Sequence, residues 1–339
     1  MKDLVLKLLG ELDELLERPL VRRDYILKSS QKKVSTVIGM RRVGKTSRIF
    51  QDIKEQLNAG VDKERILYVN FEDERIPHSP TIIGELVDSF YELFPDNHDQ
   101  SILLYLDEIQ ELENWERPIR RILDQGKAKI YLTGSSSKML SKDIATTLRG
   151  RSLVTEIWPF SFREYLRAIN LEHILDVKIP PPKDRSLFRN QLARYLSVGG
   201  LAESILEPDN LRADILKSYR ETVIFRDLVE RNNLDNIALL RFLLNWIVRN
   251  FGARQSISKT FNQAKSLRIK TNKNTISTYL ELIEDVYFGF QIKLFTPSVS
   301  KQLANPTKHY CIDPAFAKFL EIKVSDRFGA SFENLIFLD

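Results

Sequence analysis

One cysteine in 339 residues, Cys311, leaves the chain no internal disulfide and no sign of an oxidising compartment. Histidine is nearly as scarce, and His78, His98, His173 and His309 stand too far apart to offer metal-ligand spacing. Long apolar runs are missing too. No stretch approaches the roughly 18 apolar residues of a membrane-spanning helix, so no membrane partner is expected. The opening MKDLVLKLLGELDELLERPL is an acidic amphipathic helix pattern. It lacks the basic start and small-residue cleavage site of a secretory signal, which makes the cytoplasm the default location. Acidic residues are absent between Ala253 and Leu280, where Arg254, Lys259, Lys265, Arg268, Lys270 and Lys273 all fall. In a chain of net charge only +5, that stretch is the one place where charge points to an anionic partner.

What is present is enough apolar and charged sequence for a soluble protein of about two or three domains. Over the first 160 residues strand and helix signals alternate, the pattern of a parallel sheet covered by helices. Val34–Ile38, Ile66–Phe71, Ile102–Leu106, Lys129–Thr133 and Ser152–Trp158 read as five strands. Thr46–Leu57 and Thr81–Phe94 read as helices between them, each with apolar residues on one face, and Trp115–Gln125 as a helix that ends at Gly126 with Pro118 near its first turn. After Pro159 the strand signals stop. Ser161–Asn170, Ser186–Val198 and Leu211–Asn232 read as helices, broken by Pro180-Pro181-Pro182 and by Gly199-Gly200. A third region begins near Asn233, with helices over Leu239–Phe251, Ser256–Leu267 and Asn274–Val286. Phe288–Leu294 and His309–Ile312 then suit a small hairpin.

Residues 39–46 read GMRRVGKT and fit the phosphate-loop pattern G-x-x-x-x-G-K-[ST]. Glycines at both ends let the backbone turn tightly, so that its N–H groups face phosphate oxygens, and the following helix adds its positive end. The expected nucleotide-binding set is Gly39, Met40, Arg41, Arg42, Val43, Gly44, Lys45, Thr46 and Ser47. Lys45 is expected at the β- and γ-phosphates and Thr46 at Mg²⁺. A β-branched strand before the motif and an amphipathic helix after it supply the context this mechanism needs. ATP and Mg²⁺ are therefore the expected cofactors.

The third strand runs straight into Asp107-Glu108, at the strand end where open α/β sheets bind ligands. Asp107 is expected to hold the metal with Thr46, and Glu108 to orient and polarise the attacking water. An adjacent glutamate favours hydrolysis over transfer to another acceptor. The fourth strand ends in Thr133-Gly134-Ser135, where a hydroxyl from Thr133 or Ser135 either senses the γ-phosphate or belongs to a plain turn. Arg149 and Arg151 flank Gly150, and either act in trans on a neighbour's nucleotide or are solvated charges.

Taken together, GMRRVGKT, YVNFEDERI, LYLDEIQ, YLTGSSSKML, LRGRS, WPFSFREYL and YLSVGG resemble a family of archaeal and bacterial AAA+-type ATPases. The likeness runs in order over nearly the whole chain. It implies a five-stranded α/β P-loop core over 1–159, a helical lid over 160–232 and a winged-helix-like domain over 233–326. By the same resemblance Thr133–Ser135 falls at the first sensor position, with Arg149 and Arg151 near the arginine-finger position. Relatives often carry proline where this chain has Ala202 in GGLAE, which puts base contact there in doubt. Many relatives continue from a segment like FENLIFLD into a restriction-endonuclease-like domain. Here residues 327–339 hold only its start, so no nuclease activity is expected, and Phe332, Leu335 and Ile336 are expected to be exposed.

Ser256–Leu267 and Asn274–Val286 with a basic turn between them suit a helix-turn-helix. The alternatives for residues 254–280 are duplex DNA and a protein-packing domain with a solvated basic face. Arg226-Asp227 is expected to make a local ion pair, and Glu164 to be structural. The functions in play are an ATP-hydrolysing switch, an ATP-holding module and a nucleotide-dependent DNA-binding regulator with little turnover. Nothing marks an acceptor site for a small-molecule kinase. A second copy of the chain and an unidentified protein complete the expected partners.

Overall fold

The computed structural model describes residues 1–135, 150–176, 181–319 and 328–338. The chain divides into two units. One comprises Met1–Gly39 with Gly44–Ile157, the other Met40–Val43 with Trp158–Asp339.

The first unit is built on five parallel strands: β1 (Val34–Ile38), β2 (Ile66–Asn70), β3 (Ile102–Asp107), β4 (Ala128–Gly134) and β5 (Ser152–Glu156), in the order β2-β3-β4-β1-β5. β1 and β3 are buried along their whole length, which is why they read as runs made mostly of apolar or β-branched residues. Register positions the chemistry. Val37 lies opposite Thr133 and Leu106 opposite Leu132, so Gly39, Asp107 and Thr133 emerge at the same end of neighbouring strands. Because β4 stands between β1 and β3, the acidic strand is not the immediate neighbour of the phosphate-loop strand.

Helices α1 (Lys2–Glu17), α2 (Lys45–Asn58), α3 (Ile82–Leu93) and α4 (Glu116–Gln125) belong to the same unit. α1 buries Val5, Leu8, Leu9, Leu12 and Leu16, a three–four spacing that lays one stripe against α3 and β2. Each fully buried side chain of this kind contributes about 1.5–3 kcal/mol. β5 is shorter than its sequence suggests. Ile157 still donates to the Ile38 carbonyl at 2.8 Å, but Trp158 leaves the sheet and packs in the second unit against Tyr287 and Phe290.

The second unit starts with α5 (Phe162–Ala168), α6 (Pro182–Val198), α7 (Ala202–Leu206) and α8 (Arg212–Thr222). Ser161 and Glu164 close a capping box at α5, the Ser161 Oγ accepting from the Glu164 N–H at 3.2 Å and the Glu164 carboxylate from the Ser161 N–H at 3.0 Å. That fixes Glu164 in a structural place. α6 begins at Pro182 itself, because a proline in the first turn lacks only an N–H that would have had no partner. The single helix expected over 211–232 is instead α8 followed by a π-helix, Val223–Glu230. Its buried residues Val223, Ile224, Asp227 and Leu228 keep a three–four spacing, so apolar periodicity does not distinguish the two forms.

Next come α9 (Ile237–Asn250), β6 (Arg254–Gln255), α10 (Ile257–Ser266), α11 (Lys273–Asp285), β7 (Gly289–Ile292), α12 (Val299–Ala304) and β8 (Thr307–Cys311). The three strands form an antiparallel sheet in the order β6-β8-β7. β6, at two residues, is too short to show any periodicity in sequence. Side-chain caps from Asn236, Ser256 and Asn272 start α9, α10 and α11.

After α13 (Phe316–Phe319), α14 (Phe328–Leu338) closes the described chain. Phe332 and Ile336 are exposed as expected, but Leu335 is not. It is buried in the cluster of Tyr165, Leu166, Tyr195 and Leu196, on the side of α14 that also buries Ser331 and Asn334.

Gly199-Gly200 marks a close approach. Gly199 has φ +79°, and a Cβ there would collide with the Asp313 carboxylate. Asp313 accepts from the N–H groups of Gly200 (2.7 Å), Leu201 (3.1 Å) and Ala315 (2.8 Å). Burial nonetheless pushes its carboxyl up to about 6.

Candidate functional site

The phosphate-loop motif takes up three positive-φ positions, Gly39 (+150°), Arg42 (+64°) and Gly44 (+97°). Glycine adopts such angles without steric cost, and Arg42 does so against one. Lys45 opens α2, and its buried ammonium donates to the Gly39 carbonyl at 3.3 Å and stands 3.7 Å from Glu108 Oε1. Thr46 and Ser47 follow on the first turn of the helix, both half-buried.

Asp107 is the centre of the hydrogen bonding. Its Oδ2 accepts from Thr46 Oγ1 at 2.7 Å and from the Tyr68 hydroxyl at 2.9 Å. Its Oδ1 accepts from Thr133 Oγ1. Thr133 Oγ1 in turn accepts from the Glu108 N–H at 2.9 Å. One hydroxyl thus ties the carboxylate of Asp107 to the backbone of its neighbour. Burial, followed by the nearby Glu108, pushes the Asp107 carboxyl up, and the three hydroxyl donors oppose that. Burial beside Asp107 holds Tyr68 well above the usual phenol range, so it stays a donor.

Glu108 itself sits at φ +53°, ψ +46°, a left-handed conformation for a residue with a side chain. Backbone strain of this kind is concentrated at functional sites and persists where surrounding contacts enforce it. Here the Thr133 bond to its N–H and the Gln110 amide on its Oε2 do so.

Of the residues singled out in the sequence, Lys45, Thr46, Asp107, Glu108 and Thr133 are joined in this one constellation. Ser135 is buried one residue beyond β4. Arg151 is half-exposed and ion-paired with Asp124 at the end of α4. Arg149 lies outside the described residues. Met40, Arg41, Arg42 and Val43 group with the second unit, where Met40 and Val43 are buried. There the Arg41 Nε is 3.3 Å from Asp227 Oδ1, and Arg42 reaches Glu203 at 3.4 Å and covers the Tyr219 ring at 4.8 Å. Asp227 also takes Arg231, four residues further along the chain, at 3.6 Å. In the stretch 254–280 all six basic residues are exposed.

Sequence reasoning missed Tyr68, Gln110 and Arg23. Tyr68 reaches Asp107 only through the β2–β3 pairing, which sets Asn70 opposite Asp107. A tyrosine in a strand buried on both faces, whose hydroxyl needs a partner, was the available signal. Arg23 is buried, with its guanidinium 3.1 Å from where a Cβ on Gly44 would lie. It precedes the first strand in a segment without periodicity, and nothing in the sequence marks it.

A family model described as an AAA domain matches residues 31–166, and one described as a domain of unknown function matches 189–326. An uncharacterized protein of Methanocaldococcus jannaschii is 34% identical over 326 residues, covering 94% of this chain and 69% of its own. An uncharacterized protein of Haemophilus influenzae is 24% identical over 322 residues, covering 94% of this chain and 78% of its own. Among solved structures, the Aeropyrum pernix ORC1 protein in complex with DNA is similar at 17% identity and a TM-score of 0.34, over 96% of this chain and 91% of that one.

Proposed function

This chain belongs to the archaeal and bacterial AAA+ P-loop ATPases, and from that membership we propose that it binds Mg-ATP and hydrolyses it to drive a conformational switch. The observation that carries the reading is the hydrogen-bonded path from Thr46 through Asp107 and Thr133 to Glu108, with the Lys45 ammonium beside it. The donor set fits the cofactor. A hydroxyl and a carboxylate oxygen, 2.7 Å apart at the start of a helix, are the hard, sparse protein ligands that Mg²⁺ accepts alongside nucleotide phosphates. When bound, the metal supplies charge neutralisation between phosphate oxygens.

The loop from Gly39 to Thr46, with Ser47, holds the triphosphate through backbone N–H groups and the Lys45 charge. Glu108 orients the attacking water and takes its proton. Thr133 fixes Glu108 relative to Asp107, which gives it the sensor role ahead of Ser135. Arg149 and Arg151 act in trans, on the nucleotide of a second copy. Such groups are worth roughly 10³–10⁵ in rate, so the isolated chain turns over slowly. Residues 160–232 act as a helical lid. Residues 233–326 act as a winged-helix-like domain, supported by the order helix, strand, helix, helix, strand, helix, strand around one antiparallel sheet. The test is Glu108→Gln, which is expected to retain bound ATP that the wild type converts to ADP. Prompt conversion in the variant would contradict the assignment of the base.

A second reading has its own observation. The six exposed cations of 254–280 suit a nucleotide-dependent regulator that binds duplex DNA with little turnover. DNA affinity that changes with ATP and survives without hydrolysis would favour it.

A further inference from the structure

The two middle arginines of the phosphate-loop motif are both held by acidic groups of the second unit, to which they belong by their packing. Arg41, about one-eighth exposed, pairs with Asp227, which is only 2% exposed. Asp227 lies in the middle of the π-helix Val223–Glu230, a rare form of helix that is frequently found at functional sites. Arg42 is held by Glu203, whose carboxylate also accepts from the Tyr219 hydroxyl, and its guanidinium lies over the Tyr219 ring. The peptide they bracket needs such support, because Arg42 is at φ +64°. A left-handed residue with a side chain costs roughly 1–2 kcal/mol and persists where its surroundings enforce it. Its φ angle also sets where the neighbouring N–H groups point, and alternating backbone angles of this kind make anion-binding concavities.

We propose that Asp227 is a positioning residue for the phosphate loop, acting through Arg41, and that this pair carries the state of the loop to the π-helix. The inference rests on the ATP-binding reading above. Asp227 pairs with Arg231 at 3.6 Å as well as with Arg41. Loss of Arg41 therefore leaves the buried carboxylate paired, and the fold is expected to survive that substitution. The Arg41–Asp227 bond thus serves the loop more than the fold. Its effect runs both ways, since linkage between two sites is reciprocal.

The test uses the full chain with Arg41→Met, Asp227→Asn, the double variant and Arg41→Lys. Two readouts are taken: Mg-ATP affinity, and amide hydrogen exchange of residues 223–230 with and without Mg-ATP. In the wild type, ATP is expected to slow exchange in that segment several-fold. Arg41→Met and Asp227→Asn should each still bind ATP, weakened by roughly tenfold, the equivalent of one charge-assisted hydrogen bond. Both should lose the slowing of exchange. The double variant should be no weaker than the weaker single one, and Arg41→Lys should recover part of both effects. Wild-type affinity together with intact ATP-dependent slowing in Asp227→Asn would overturn this proposal alone. A wild-type chain that binds no ATP would overturn it together with the reading it rests on.

Discussion

Among the described residues, the first unit keeps its buried charges in pairs and networks, whereas the second, beside its paired Asp227, buries His309 and Asp313 with no counter-ion next to them and leaves most of its cations on the surface. In the first, Asp107 has three hydroxyl donors, Lys45 faces Glu108, and Arg48 lies 3.8 Å from Asp52, itself bonded to the Tyr105 hydroxyl at 2.7 Å. In the second, His309 is bonded through Nε2 to Thr307 while its buried Nδ1 has no partner among the described residues, and Asp313 is held by backbone N–H groups. Burial drives His309 down to about 4 and Asp313 up to about 6. Charge placed by strand register serves chemistry, and charge spread along exposed helices serves a surface. The lesson is that both can be basic or acidic in sequence while only the first has a fixed geometry.

The sharpest way to break that contrast is pH. His309 is neutral when folded and ordinary when unfolded, so its stabilising effect is complete above 6.5 and lost as pH falls from 6.5 to about 4. The full loss is about 3 kcal/mol, since each tenfold change in proton affinity is worth about 1.4 kcal/mol. Asp313 has the opposite sign. Its folded carboxyl binds a proton more readily than the unfolded one, so it adds stability as pH falls through about 6 towards 3.8. The two offset each other in the wild type. Urea melts from pH 7 to 4 should therefore be shallow for the wild type and steeper in acid for Asp313→Asn, which unmasks His309. His309→Gln should instead gain stability relative to wild type as pH falls. Parallel pH profiles for all three would contradict the contrast.

A second prediction falls on the network of the first unit. Thr133→Val keeps the shape and removes the hydroxyl that serves both Asp107 and the Glu108 N–H, so turnover should fall by about 10–100-fold with little loss of folded protein. Tyr68→Phe removes one donor of three and should cost less. On the surface of the second unit, Lys265→Ala or Lys270→Ala should leave turnover without DNA unchanged. If all six cations meet phosphates, the log–log salt slope of DNA binding should be about −5, and each such variant should reduce its magnitude by about 1. The smallest effect is Asn272→Ala at the start of α11, about 1 kcal/mol from loss of the Thr275 N–H bond, read by thermal melting.

How much of this was legible in the sequence follows from the range of each interaction. The five strands and the residues Lys45, Thr46, Asp107 and Glu108 lie in short contiguous patterns whose chemistry is local. Thr133 and Ser135 are alternatives in sequence, and only β3–β4 register shows that it is Thr133 that lies beside Asp107. Tyr68 and Arg23 become neighbours of the loop and Asp107 only when the sheet is assembled. Gly199-Gly200 was visible as a break, but its cause, Asp313, lies more than a hundred residues away. The π-helix and the two-residue β6 leave no periodic trace. Leu335 was placed with Phe332 and Ile336, but the stripe that α14 buries holds the polar Ser331 and Asn334 beside it, so apolar residues alone do not mark the covered side.

The most direct measurement is Mg-dependent ATP turnover beside ATP binding, for the wild type, Glu108→Gln and Lys45→Ala. The account predicts turnover in the wild type, its loss in both variants, and binding kept in Glu108→Gln but lost in Lys45→Ala. A wild-type chain that neither binds nor hydrolyses ATP, or a Glu108→Gln chain that hydrolyses it at the wild-type rate, would contradict the account.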